Sequence, residues 1–198
     1  APRLPRGFNS EPVLMSQPSS PLRRCVAAAL ALAACAAANA ATVTSSYVQS
    51  SASEISRLLG GYSQPRVYLN SYACGEQQLS AMACSPYVIS VGSNFLQQQE
   101  AYGNYVAKFV LAHEWGHTIQ FNYGIRWQAP YQELQADCVA GSFAKYAETS
   151  LRYPSFIEAS VRSARAAADY GTHGTPSQRD YYARRGYATS TNTCLNSL

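Results

Sequence analysis

The sequence lacks three features that would each have suggested a different class of protein. No apolar run reaches the roughly 20 residues that a membrane-spanning helix requires, because the run over residues 25–38 is shorter. No C-x-x-C pair is present, which argues against a zinc site built from thiolates. No internal repeat is evident, so a chain of 198 residues is expected to form one domain.

Residues 41–198 also lack a large excess of either positive or negative charge. The whole chain has 15 basic and 11 acidic residues and a net charge of +4. Residues 1–40 contain four arginines and one glutamate, so the remainder carries 11 basic and 10 acidic residues, a net charge of +1. This balance gives no reason to expect a nucleic-acid partner.

The N-terminal quarter of the chain has the pattern of an export leader. Residues 1–14 are expected to be a non-native extension, with Met15 as the natural start. Two arginines precede the apolar residues 25–38, and the A-x-A sequence at 38–40 offers a cleavage site. Alternatively, the segment LAAC is similar to a bacterial lipobox, in which Cys35 would be lipidated and would anchor the protein to a membrane. Both interpretations predict export, to the periplasm, to the outer membrane as a lipoprotein, or out of the cell.

Residues 113–117 read HEWGH, a pattern typical of a zinc-binding helix. His113 and His117 are one helical turn apart and therefore project from the same face, where both can bind one Zn²⁺ at about 2.0–2.1 Å. Glu114 is placed to act as a general base toward a metal-bound water. Gly116 costs a helix about 0.5–1 kcal/mol relative to alanine, so we expect another backbone to approach closely there.

A second acidic motif, ELQAD, follows at residues 133–137. A catalytic zinc site with two histidines needs a third protein ligand and one open position. Glu133 can supply that ligand, and Asp137, one turn further on, can accept the N–H of a ligating imidazole. An HExxH match arises by chance in roughly 1% or fewer of chains of this length, and chance does not add the second motif.

Four cysteines remain outside the predicted leader, at positions 74, 84, 138 and 194. An even number in an oxidising compartment predicts two disulfides, for which three connectivities exist. We expect the pairs Cys74–Cys84 and Cys138–Cys194. Cys138 follows Glu133 by five residues, about 140° around a helix, so its thiol should face away from the metal.

Local patterns predict an α+β fold that is mainly helical. The Ser/Thr-rich residues 41–53 are expected to be a flexible tether, followed by a short helix at 54–59. Strands are predicted at 65–69 and 87–91, with a loop closed by Cys74–Cys84 between them. Further helices are predicted at 93–99, 103–121, 130–150, 155–170 and 176–185. Residues 41–64 would thus precede a metallopeptidase domain at 65–198.

Three segments together are similar to the motifs of the bacterial neutral zinc metallopeptidase family: HEWGHTIQ (113–120), ELQADCVAG (133–141) and HGT followed by QR (173–179). The resemblance covers roughly residues 65–198. It implies a zincin-like fold, with a small β-sheet packed on a zinc-binding helix pair, and cleavage of peptide or protein substrates. The order HExxH then ExxxD also resembles the gluzincins, whose third ligand is a glutamate.

The third motif contains the only histidine outside HEWGH. His173 could donate a hydrogen bond to the oxyanion of a tetrahedral intermediate, or it could merely fix a glycine-rich turn between two helices. Arg179 allows the same two interpretations, functional or structural. Gln120, one turn beyond His117, is expected to be structural.

The sequence therefore predicts an exported zinc metallopeptidase with Glu114 as general base. Two alternatives are a non-catalytic zinc-binding envelope lipoprotein or adaptor, and an envelope chaperone with latent peptidase activity. Glu114 argues against the non-catalytic alternative, because a structural zinc site has no use for an unligated carboxylate beside the metal.

Overall fold

The computed structural model describes residues 41–196 of the chain. The predicted leader, with its start at Met15 and its alternative lipidation site at Cys35, lies outside the described residues. Within the described part, no helix combines the length and the apolar character needed to cross a membrane.

Residues 41–196 form an α+β fold that is mainly helical, as the sequence predicts. In chain order the helices are α1 (Ser45–Leu59), α2 (Ser93–Glu100), α3 (Val106–Tyr123), α4 (Tyr131–Ser150), α5 (Ile157–Ala166), α6 (Pro176–Ala188) and α7 (Thr191–Asn196). The strands are β1 (Arg66–Leu69), β2 (Ala81–Ser85) and β3 (Val88–Val91). Strand β2 and helix α7 were not predicted, and α5 ends before the predicted boundary at residue 170.

Helix α1 takes the place of the flexible tether expected over residues 41–53. Its start is fixed by Thr44, whose side-chain oxygen accepts a hydrogen bond from the N–H of Tyr47 at 3.2 Å. Val48 and Ile55, two turns apart on one face, are fully buried in the core. The expectation was wrong because a few apolar residues at helical spacing outweigh a serine-rich composition.

The sheet has the strand order β1-β3-β2, with β1 and β3 parallel and β2 and β3 antiparallel. Strand β2 lies where a loop was expected, and its register shifts between Ala83 and Ser85. At the β1 edge, the side-chain amide of Gln49 donates to the carbonyl of Val67 at 3.0 Å. The opposite edge, β2, packs beside α3, the helix that carries HEWGH.

Helices α3, α4 and α6 approach one another closely at glycines. A Cβ atom at Gly116 would lie 3.0 Å from the Cα atom of Ala136, which confirms the expected backbone contact under the motif. A methyl group at Gly141 would overlap the backbone of α6, and one at Gly186 would overlap the carbonyl of Cys138. Helices α4 and α6 therefore pack backbone against backbone.

Both predicted disulfides are confirmed. The Cα–Cα distance is 5.7 Å for Cys74–Cys84 and 5.6 Å for Cys138–Cys194. The second bond joins α4 to α7 and both of its cysteines are fully buried, whereas Cys84 is exposed on β2. Two disulfides indicate a non-reducing environment for the folded domain.

Candidate metal centre

The two motif histidines lie side by side on α3. The ring centroids of His113 and His117 are 4.8 Å apart, and their Nε2 atoms are separated by 3.2 Å. His113 is buried and His117 is partly buried. The helical spacing read from the sequence thus brings two imidazole nitrogens to one point.

Glu133 reaches the same point from the first turn of α4. Its Oε2 atom lies 3.1 Å from Nε2 of His113, and its Oε1 atom lies 3.4 Å from Nε2 of His117. These three residues are the group of possible ligands that could hold a metal ion within the described residues.

The spacing of these donor atoms suits a small cation. Bonds of about 2.05 Å from a tetrahedral centre place neighbouring donor atoms about 3.3 Å apart. The two imidazole nitrogens, 3.2 Å apart, are close to that value. Each of them has a different Glu133 oxygen as its neighbour, Oε2 at 3.1 Å and Oε1 at 3.4 Å, and with one atom from each residue the three donors lie within 4.8 Å of one another. Two imidazoles and a carboxylate form a donor set that Zn²⁺ accepts, so the residues fit such an ion.

The far nitrogens of both rings are held by hydrogen bonds. Nδ1 of His113 donates to Asp137 at 2.9 Å, because a carboxylate can only accept. Nδ1 of His117 donates to Oε1 of Gln120 at 2.8 Å, and that amide is oriented by its own donation to the carbonyl of Gln132 at 2.7 Å. In the neutral rings the lone pair is therefore on Nε2, where it is available to a metal.

Asp137 lies behind His113 and does not face the candidate metal position. Arg179 donates to both of its oxygens, with Nε and Nη2 each at 2.7 Å. Burial alone would raise the pKa of Asp137, but the charge and hydrogen bonds of Arg179, with the bond from His113, lower it. The carboxylate is thus fully engaged, and Glu133 is the acidic side chain left to bind the metal.

The electrostatics of the site favour positive charge between the imidazoles and Glu133. Burial would lower the pKa of His113, but the hydrogen bonds to Asp137 and Glu133 outweigh it and raise that pKa to about 10. For Glu133, burial by itself would raise the pKa, but the hydrogen bonds with His113 and His117 outweigh burial, and the pKa is lowered. A divalent cation would experience the same attraction.

Glu114 is buried beside the donor group without belonging to it. Its Oε2 atom accepts a hydrogen bond of 2.8 Å from the backbone N–H of Ala83 on strand β2. The contact spans 31 positions in sequence and ties the edge strand to the metal-binding helix. Glu114 is therefore held at the site in an orientation that needs no metal ion.

His173 lies at the open side of the same site. Its Nε2 atom is 3.8 Å from Oε2 of Glu133, and its Nδ1 donates to Asp169 at 2.8 Å. Asp169 also accepts from Thr172 and from the backbone N–H groups of Gly171 and His173; the Thr172 bond is the largest of the effects that lower the pKa of Asp169. The turn before α6 thereby presents an imidazole whose second nitrogen faces the metal position.

Sequence reasoning missed the roles of three residues. Gln120 was expected to be structural, yet it orients His117; its place in HEWGHTIQ, one turn after the second histidine, was an available signal. Asp169, four residues before His173, was not considered, although that spacing suits a local hydrogen bond. Nothing in the sequence indicated the contact of Ala83 with Glu114, because it joins two distant elements.

Comparisons of the chain with protein-family models, with curated proteins and with solved structures gave no match. Its function is therefore argued from the geometry of the site.

Proposed function

We propose that this protein is an exported zinc-dependent peptidase with a zincin-like fold, related to the neutral zinc metallopeptidases that its motifs resemble. One observation carries the proposal. His113, His117 and Glu133 bring together three residues that could hold a metal ion, with one donor atom from each within 4.8 Å of the others, and the carboxylate of Glu114, which is outside this group, lies beside them. The two disulfides support export to an oxidising compartment. The proposed location is the periplasm, the outer membrane or the exterior of a bacterium.

In the proposed mechanism His113, His117 and Glu133 would hold the metal. A zinc ion bound there would supply a Lewis acid and would lower the pKa of a water molecule toward about 7. Among the residues that line the site, Asp137 and Gln120 keep the two imidazoles oriented toward the ion.

Glu114 serves as the general base. It takes a proton from the attacking water and passes it to the amine that leaves. The N–H of Ala83 holds one carboxylate oxygen at 2.8 Å, so the other oxygen is available for the proton. The contact with strand β2 uses only one of the two carboxylate oxygens, and the second is left for proton transfer, which favours hydrolysis over a non-catalytic adaptor.

Strand β2 supplies a place for an extended substrate. An edge strand can bind a peptide through main-chain hydrogen bonds, and β2 is an edge of the sheet. Two cavities flank the metal centre and share Ala81, His113, Glu114 and His173 among their lining residues. A peptide along β2 would therefore place one flanking residue in each cavity.

His173 would donate to the oxygen that becomes negative when the peptide carbonyl is attacked. Asp169 then acts as a positioning residue, because it holds the other ring nitrogen.

We expect Asp169→Asn to lower kcat about tenfold, less than loss of an oxyanion donor costs, with KM and zinc content unchanged. The control is Asp180→Asn, which alters an acidic residue of α6 that is paired with Arg165 of α5 and with Arg184. Equal effects of the two variants on kcat would contradict the role of Asp169.

The proposed function is tested by measuring zinc content and peptide turnover on one preparation. We expect about one zinc per chain, as the three ligands imply, and hydrolysis of casein or fluorogenic peptides that a chelator abolishes and added zinc restores. Folded protein prepared without chelator that contains almost no zinc would refute the metal site. Zinc-loaded protein that cleaves none of these substrates would favour the non-catalytic alternative.

A further inference from the structure

The larger of the two cavities beside the metal centre has the dimensions of a binding pocket. Its volume is about 470 Å³, within the range of about 300–1,000 Å³ for small-molecule sites. Much of its lining is apolar. Three aromatic side chains, Phe95, Tyr102 and Phe109, line it together with the alanines 164, 166 and 167 at the C-terminal end of α5. An aromatic ring would therefore find apolar surface to pack against.

The smaller cavity, on the other side of the metal centre, is different in character. Its volume is about 240 Å³, and Gln132 and Glu133 line it together with Met82 and Phe121. Met82 and Phe121 are 37% and 44% exposed. A substrate side chain there would remain in contact with solvent, so we expect the larger cavity to dominate selection.

A polar pair interrupts the apolar lining of the larger cavity. The hydroxyl of Ser163 on α5 donates to Oε1 of Gln99 on α2 at 2.6 Å. Within the described part of the chain, Nε2 of Gln99 donates to no protein acceptor. The pair therefore offers an amide donor and a hydroxyl acceptor to a molecule in the cavity.

The arginine that lines this cavity is already paired with an acidic residue. Arg179 donates twice to Asp137 and once to the carbonyl of Ala167. Because its charge is balanced by a fully buried carboxylate, it would contribute little to binding an acidic side chain. The cavity is thus suited to a neutral occupant with a polar end.

We propose that this cavity selects a tyrosine side chain of the substrate, at one of the two positions that flank the cleaved bond. The ring packs against the aromatic and alanine side chains of the lining, and the phenol oxygen bonds to Gln99 and Ser163. This inference rests on the proposed peptidase function. It makes Gln99 and Ser163 specificity-determining residues that neither bind the metal nor take part in proton transfer.

The first experiment compares peptides that differ only in Tyr or Phe, placed in turn on each side of the cleaved bond. One neutral hydrogen bond corresponds to about a three- to tenfold difference, so kcat/KM should favour Tyr by that factor on one side. Gln99→Leu and Ser163→Ala should reduce the ratio to about one. The control Gln98→Leu, an exposed neighbour on α2, should preserve it. A ratio near one on both sides in the unmodified protein would overturn the proposal.

A binding experiment separates this inference from the peptidase function. Ligand-observed NMR on the zinc-loaded protein should show that p-cresol binds three- to tenfold more tightly than toluene, and that Gln99→Leu removes the difference. If p-cresol is preferred but no peptide is cleaved, the pocket is supported and the peptidase function fails. If peptides are cleaved but p-cresol and toluene bind equally, the pocket assignment fails alone.

Discussion

Glu114→Gln should lower peptide turnover by about 100- to 10,000-fold, the usual contribution of a general base. The amide cannot take the proton from water, yet its oxygen can still accept the hydrogen bond that Ala83 donates to Glu114. The edge strand should therefore stay in place, and the three metal ligands are unchanged. Zinc content should remain about one per chain.

The measurement for this variant pairs initial rates with metal analysis. Glu76→Gln, in an exposed loop, makes the same chemical change away from the site and should retain full activity. Near-normal rates for Glu114→Gln would show that Glu114 is not the base. Loss of zinc together with activity would show instead that its carboxylate supports the metal.

Glu133→Ala should weaken zinc binding by more than about 100-fold, beyond the 10–100-fold range expected for loss of a residue behind a ligand. Glu133 contributes one of three donors, at 3.1 and 3.4 Å from the two imidazole nitrogens. Asp137→Asn should weaken binding within that 10–100-fold range, because an amide oxygen can still accept from Nδ1 of His113. Asparagine is preferred to alanine here, since it retains one acceptor for the buried Arg179.

Competition with a zinc chelator gives both affinities, and circular dichroism shows whether each variant is folded. The decisive quantity is the order of the two affinities. If Asp137→Asn abolished binding in folded protein while Glu133→Ala left it nearly intact, the assignment of ligand and supporting residue would be reversed.

The sequence was most informative where function depends on residues that are close along the chain. The spacing of His113 and His117 on a helix, and of Glu133 and Asp137 on the next, follows from helical geometry alone. The disulfide pairs were predicted correctly, although three connectivities were possible. Strand β2 was not predicted, because its five residues, AMACS, do not alternate between apolar and polar side chains, although their burial alternates in the structure.

Contacts between distant segments were beyond sequence reasoning. Arg179 and Asp137 are 42 positions apart, and nothing local indicated that a guanidinium would meet this carboxylate. The hydrogen bond from Ala83 to Glu114 depends on how the sheet is placed against α3. Both contacts result from packing, which local propensity does not specify.

The close packing of α4 and α6 determines where this chain would tolerate substitutions poorly. Gly141 and Gly186 have no functional group, yet any side chain at either position would push the two helix backbones apart. That movement would draw Arg179 away from Asp137, and with it the support behind His113. Tolerance to substitution should therefore be as low at these two distant glycines as at residues that touch the metal.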